Sequence, residues 1–221
     1  VVTSDLGLGD RLFVTDFNGG GTSGRLYCIN VDPFDAANNP FQPGEIVWSR
    51  VIGGTSGNSP AYEAGVVYVA TNGRFFTPPT PSEPGSILAF SAAATSAPEP
   101  LWTFTNVLDL GFYGGVCVNR DTSGTPMVYA ASYNFALTGP LASSNLVKVD
   151  GSCGDLVWSA PCGRTSTVPV PLPGGRILLS EGVRGEFGSA AALALYEDLG
   201  SSAQPLWNTA LASWADVNGN L

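Results

Sequence analysis

The sequence predicts an all-β chain: a β-propeller of four-stranded antiparallel blades, about four of them in 221 residues. Three observations carry that expectation. Trp48, Trp102, Trp158 and Trp207 each follow an apolar residue (Val47, Leu101, Val157, Leu206) and recur at gaps of 54, 56 and 49 residues, the spacing of a repeat architecture. Around each Trp the same succession of short apolar runs returns, bounded by Gly, Pro, Asn or Asp, and such runs read as strands. No segment sustains helical periodicity with caps. A sandwich or barrel is the competing all-β reading. The propeller is preferred because a whole four-strand unit repeats rather than a single strand.

The elements follow in order. The first blade, about 1–54, takes Val1–Leu6 as its opening strand, then Arg11–Thr15, Arg25–Val31 and Ile46–Ser49. The second, 55–108, takes Ser59–Ala64, Val66–Ala70, Ser86–Phe90 and Leu101–Phe104. The third, 109–163, takes Gly114–Asn119, Met127–Ser132, Asn145–Val149 and Leu156–Ala160. The fourth, 164–212, takes Ser166–Pro171, Arg176–Ser180, Ala191–Tyr196 and Leu206–Thr209, and 213–221 reads as the start of a further blade. The Ala/Leu-rich tract around Ala191 resembles a helix by composition, but its place in the repeat assigns it to a strand. Insertions fall at fixed places: Asp32–Pro43 and Ala93–Glu99 before the last strand, and Phe75–Pro84 and Phe135–Ser143 before the third. Such surface loops are where propellers carry function.

Composition bounds the class. With 44% hydrophobic against 12% charged residues the chain can bury a large core. A net charge of −9, with Lys148 the only lysine and no histidine, repels phosphate backbones and argues against nucleic acid as a partner. No apolar stretch is long enough to span a membrane. Few charges and abundant Ser, Thr and Gly point to an exported protein. The N-terminus, Val1-Val2-Thr3, has neither an initiator Met nor a basic-then-apolar leader, as expected of a processed or partial chain.

Cys28, Cys117, Cys153 and Cys162 contain no C-x-x-C pair, which argues against a zinc ribbon or thioredoxin-type site. Cys153 and Cys162 flank a predicted strand that would set them roughly 30 Å apart, well beyond bridging distance. Cys28 and Cys117 lie in apolar strand patterns and are expected as buried free thiols.

The run Asn58-Ser-Pro-Ala-Tyr-Glu-Ala-Gly-Val-Val-Tyr-Val-Ala-Thr-Asn-Gly73, followed by Gly85-Ser-Ile-Leu-Ala-Phe90 and Pro100-Leu-Trp102, resembles a blade of the PQQ-like (quinoprotein-type) propellers. Gly24–Asn30 with Gly44-Glu-Ile-Val-Trp48 is similar, as is Leu146–Asp150 with Gly154-Asp-Leu-Val-Trp158. The resemblance covers nearly all of the chain. It implies a ring of seven or eight blades, so the chain is expected to form part of a larger ring; two copies closing one ring, or a four-bladed ring, are the alternatives. The family's docking pattern, Ala-x-Asp-x-x-Thr-Gly-x-x-x-Trp, is degraded here. Its Ala place holds Cys28, Ala89, Lys148 and Ala194, and its Asp place Asn30, Ser91, Asp150 and Tyr196. Its Gly survives as Gly44 and Gly154 alone. Those two glycines and the four repeat tryptophans are assigned to blade docking.

Chemistry-bearing candidates are sparse. Gly19–Gly24 matches G-x-G-x-x-G, but a strand follows where the motif needs a helix N-terminus, so a hairpin loop is expected. Asp216, Asn218 and Asn220 place oxygen ligands at alternating positions and form a weak calcium candidate. Without histidine there is no Ser–His–Asp triad, and Ser–Lys chemistry would need Lys148. Glu197-Asp198 and Asp32/Asp35 are candidate acid/base pairs, with turn solvation as the plainer reading. Arg74, Arg120, Arg164 and Arg184 fall near strand ends or loops, where they would line one face and hold an anion, or serve solubility.

The expectation is a non-catalytic, exported propeller that binds or scaffolds through its loop faces, with no catalytic residue assigned. Its partners would be another protein, further blades of the same protein, or a second copy. No cofactor is expected beyond calcium at the weak site. The alternatives are part of a PQQ-dependent dehydrogenase, or a structural component of a cell-surface assembly; enzyme status is left open, with non-enzyme preferred.

Overall fold

A computed structural model of the protein describes residues 1–3, 5–6, 9–18, 21–73, 84–134, 144–182 and 192–210. Every regular element among them is a strand. The first sheet runs β1 (Arg11–Thr15), β2 (Gly24–Asn30), β3 (Ile46–Gly53). Val2 bridges Leu12, and Phe13 N donates to Val1 O at 2.8 Å, so the opening segment lies along β1 in the place of the blade's first strand. The second sheet is β4 (Ala61–Glu63), β5 (Val66–Ala70), β6 (Ser86–Ser91), β7 (Trp102–Thr105). The third is β8 (Cys117–Arg120), β9 (Pro126–Ala131), β10 (Ser144–Asp150), β11 (Leu156–Cys162). The fourth is β12 (Val170–Leu172), β13 (Arg176–Glu181), β14 (Ala192–Asp198), β15 (Ala203–Ala210). All pairs are antiparallel and sequential. These are propeller blades, each a meander joined to the next.

Each pair of neighbouring sheets encloses its own core. Phe13, Cys28 and Trp48 pack with Val67, Leu88 and Phe90 between the first and second sheets. Tyr68, Ala89 and Phe104 pack with Val128, Val147 and Val149 between the second and third. Tyr129, Leu146 and Trp158 pack with Ile177, Leu179 and Ala194 between the third and fourth. Alternation in β6 shows why the strands read as near-continuous apolar runs. Ile87 and Ala89 face the third sheet while Leu88 and Phe90 face the first, so both faces need apolar side chains.

One row of side chains recurs across every sheet. Strand pairing aligns Phe13, Cys28 and Trp48; Tyr68, Ala89 and Trp102; Tyr129, Lys148 and Trp158; and Leu178, Leu195 and Trp207. A small residue in the middle strand lets the flanking aromatics meet over it: Phe13–Trp48 and Tyr68–Trp102 both stand at 5.8 Å between ring centroids, within the favourable range for aromatic pairs. The residue before the Trp is bulged in three of the four sheets, between Cys28 and Ile29, Lys148 and Val149, and Leu195 and Tyr196. The extra residue interrupts the in/out alternation, so Val47 joins the same core as Trp48, and Val157 that of Trp158. That accounts for the apolar-Trp doublet at Val47 and Val157, whereas Leu101 and Leu206 are exposed.

The bulge also corrects the sequence alignment of the fourth repeat. Leu195, not Ala194, lies opposite Trp207, because Ala194 and Tyr196 face back into the third sheet. Glu197 therefore takes the place expected for Tyr196. The first strands of the later blades are shorter than expected. Ser59 leaves its own sheet to bridge Gly115 in parallel, with Val116 N donating to Ser59 O at 3.2 Å. Successive first strands converge, and at Ser59 the chain pairs across blades rather than within one.

Candidate functional site

In each blade the turns joining first to second and third to fourth strands lie at one end of the sheet; the other connections lie at the opposite end. On the turn end, between the third and fourth blades, a groove of about 820 Å³ opens. Its floor holds Tyr129, Lys148 and Asp198, its rim Arg120 and Asp121, and its far wall the turn Pro173–Gly175.

The floor is built from the recurring row. Between the second and third blades, Tyr68 O–H (3.2 Å) and Trp102 Nε1–H (2.9 Å) both donate to the backbone oxygen of Gly151, over Ala89. A Cβ at Gly151 would meet Pro126 O at 2.9 Å and Tyr68 Oη at 3.0 Å, so the contact closes only on glycine. Between the third and fourth blades the acceptor is a side chain. Tyr129 O–H donates to Asp198 Oδ2 (2.9 Å) and Trp158 Nε1–H to Asp198 Oδ1 (3.0 Å). Lys148, in the place of Ala89, supplies the countercharge, with Nζ 2.8 Å from Asp198 Oδ2 and a longer bond to Gly200 O at 3.3 Å. The carboxylate needs more room than the Gly151 carbonyl, and the groove lies where this pair replaces the small residues.

Asp198 is saturated as an acceptor, since Gly200 N–H also donates to Oδ1 at 2.9 Å. Burial pushes its carboxyl upward, but the bonds from Lys148, Gly200, Tyr129 and Trp158 outweigh that and hold it below the usual carboxylate range. The Tyr129 hydroxyl is pushed well up, by burial first and then by its bond to Asp198. The floor therefore holds a fixed carboxylate and a bound phenol, with no base awaiting a proton.

The remaining sequence candidates separate. Glu197 points to the opposite face from Asp198 and accepts from Gln204 Nε2 (2.9 Å), so they form no acid/base pair. Asp32 accepts from Asp10 N–H and Asp35 from Ala37 N–H at 2.9 Å, each serving the backbone. Arg120 lies at the turn end and binds Glu63 and Gly124 O, whereas Arg164 is buried in the connection at the other end, its guanidinium 5.7 Å from the centre of the Tyr133 ring. These two line no common face; Arg74 and Arg184 lie outside the described residues, as do Asp216, Asn218, Asn220, Trp214 and the start of a further blade. Gly19 and Gly20 are outside as well, but β1 and β2 pair antiparallel across that loop, and a strand follows it. No group of three His, Cys, Asp or Glu placed to hold a metal exists among the described residues.

Of the insertions, Asp32–Pro43 is pinned down by buried Arg11, which donates to Asn30 Oδ1 (2.6 Å) and Asn39 Oδ1 (3.1 Å). Ala93–Glu99 takes the Trp48 indole N–H at Ala94 O (2.9 Å) and pairs Glu99 with Arg50. The other two insertions lie almost wholly outside the described residues. All four thiols are free; burial pushes Cys28 and Cys117 up to about 12. Gly44 and Gly154 both have left-handed backbone, φ +81° and +85°. Only Gly154 also lies against an indole, its hypothetical Cβ 2.8 Å from Trp102 Cε3.

Tyr129 escaped the sequence reading and Asp198 was grouped with the wrong partner. Phe13, Tyr68 and Tyr129 form one column only through strand pairing; in sequence they lie 35, 34 and 29 residues before their tryptophans, so spacing alone does not align them.

No protein-family model and no curated protein matches the chain. A solved structure of a europium-containing methanol dehydrogenase is similar in fold, with a TM-score of 0.58 and 12% identity. The likeness covers 92% of this chain and 40% of that one, so the chain spans well under half of that enzyme's length. At this identity the likeness shows the fold alone, a β-propeller. No helix among the described residues is long and apolar enough to cross a membrane.

Proposed function

We propose that the chain is a non-catalytic propeller region that binds a partner or ligand through the ends of its blades. The observation that carries this reading is the groove floor. Its one cation and its carboxylate are paired at 2.8 Å, and its phenol is bound to the same carboxylate. A general base must be able to take a proton in reach of substrate, and Asp198 has its lone pairs occupied. A groove of this volume, with a few fixed polar groups among Pro and Leu side chains, suits recognition. Export belongs to the same proposal and is supported by composition: one lysine against eight arginines, and abundant Ser, Thr and Gly.

The second reading, part of a quinoprotein dehydrogenase, is favoured by the likeness to the methanol dehydrogenase. The two separate in one experiment. The full chain is incubated with pyrroloquinoline quinone and either calcium or europium, desalted, and given methanol with an electron-accepting dye. The binding-module reading expects no quinone absorbance in the protein fraction and no dye reduction. Alcohol-dependent dye reduction overturns it.

A further inference from the structure

We propose that the groove between the third and fourth blades binds a carboxylate, with Lys148 at its floor and Arg120 at its rim. This deepens the binding-module reading and rests on it. The first support is the balance of hydrogen-bonding groups. The Lys148 ammonium has three N–H donors and uses two, on Asp198 and Gly200. The Arg120 guanidinium has five and spends its bonds on Glu63 and Gly124 O. Against these, Asp198 has no acceptor capacity left, and Asp121 turns Oδ1 onto Ser123 N–H (2.8 Å), Ser123 O–H (2.6 Å) and Thr125 N–H (3.0 Å). The groove thus offers unspent cationic donors while much of its acceptor capacity is consumed internally, which favours a charged acceptor.

The second support is that the blades do not need this arrangement to pack. The preceding interface makes the same Tyr and Trp contacts with Ala89 and Gly151. Replacing buried ion pairs with apolar groups is commonly neutral or stabilising. Among the described residues the ion pairs at the other two interfaces, Arg50–Glu99 and Arg120–Glu63, are partly or largely exposed, whereas Lys148–Asp198 is buried in the recurring row beneath a groove. That is a local departure from the repeat's own packing rule, and such departures mark functional sites.

Lys148 is the chain's only lysine, so protein made with ¹³C,¹⁵N-lysine reports on the floor through one side-chain resonance. The probes are N-acetyl-L-glutamate and the capped peptide acetyl-Glu-Leu-Glu-amide, each against its glutamine counterpart. The expected result is a saturable shift of the Lys148 resonance with the acids, at least about tenfold weaker for the amides. Whichever acid binds tighter distinguishes a free metabolite-like acid from an acidic segment of a protein. Lys148→Met with Asp198→Asn removes both charges at nearly constant volume. It is expected to keep the wild-type circular dichroism and to lose the affinity seen by calorimetry. Arg120→Gln, at an exposed position, is expected to weaken binding about threefold without touching the core. No saturable shift with either acid, equal binding of the amides, or undiminished binding by both variants overturns the proposal. Failure here leaves the dye assay untouched, and dye reduction would sink the binding-module reading without moving the Lys148 resonance.

Discussion

Lys148 stands in a column otherwise filled by Cys28, Ala89 and Leu195, and it is tolerated there because Asp198 stands where the preceding interface has Gly151. The side chain of Lys148 is 4% exposed and that of Asp198 9%, so removing one partner strands the other's charge. Lys148→Met alone is therefore expected to cost about 3 kcal/mol, against little for the double exchange. The pair also sets an acid limit. Asp198 is held below its unfolded value of about 3.9, so its contribution is complete above that pH and is lost as pH falls through the folded value. Urea midpoints measured from about pH 5 down to about pH 2.5 should fall more steeply for wild type than for Asp198→Asn. Asp35 and Asp121, also held low by local hydrogen bonds, are common to both proteins and cancel. Equal slopes would show that Asp198 carries no such linkage.

At the scale of the strand and its turn, Gly44 and Gly154 occupy one place in the repeat and adopt one conformation, yet differ in surroundings. Nothing lies within 4 Å of a Cβ at Gly44, while one at Gly154 would press into the Trp102 ring. Gly44→Ala should therefore cost only the left-handed backbone penalty, about 1–2 kcal/mol. Gly154→Ala should cost distinctly more, about 3 kcal/mol, since the clash adds to that strain. Denaturant titration of the two variants checks it; equal losses would mean that the Trp102 contact yields freely. The strands themselves were legible because both faces of a blade are buried, which leaves runs such as Val67–Ala70 and Ile87–Phe90 apolar throughout. Their register was less legible. A bulge shifts partners by one residue without altering composition, so Ala194 and Leu195 could not be told apart before the pairing of β14 with β15 was known.

Across the whole molecule the same tryptophan grades from buried to exposed. Trp48 and Trp158 are each 4% exposed and donate into the following blade, whereas Trp207 is 43% exposed on the outer strand of the fourth. Trp158→Ala is expected to lose about 3–5 kcal/mol, as for a core aromatic. Trp207→Ala should lose distinctly less, about 1–2 kcal/mol, since nearly half of its surface stays in water. Chemical unfolding of the full chain compares them, and a loss at Trp207 matching that at Trp158 would mean that this face is covered in solution. The repeat and the all-β class were legible in residue type alone, because periodic burial leaves a periodic trace in it. The site was not legible in that way. Lys148 and Asp198 lie 50 residues apart, in different blades; their meeting depends on how two sheets stack, and nothing in local spacing encodes that.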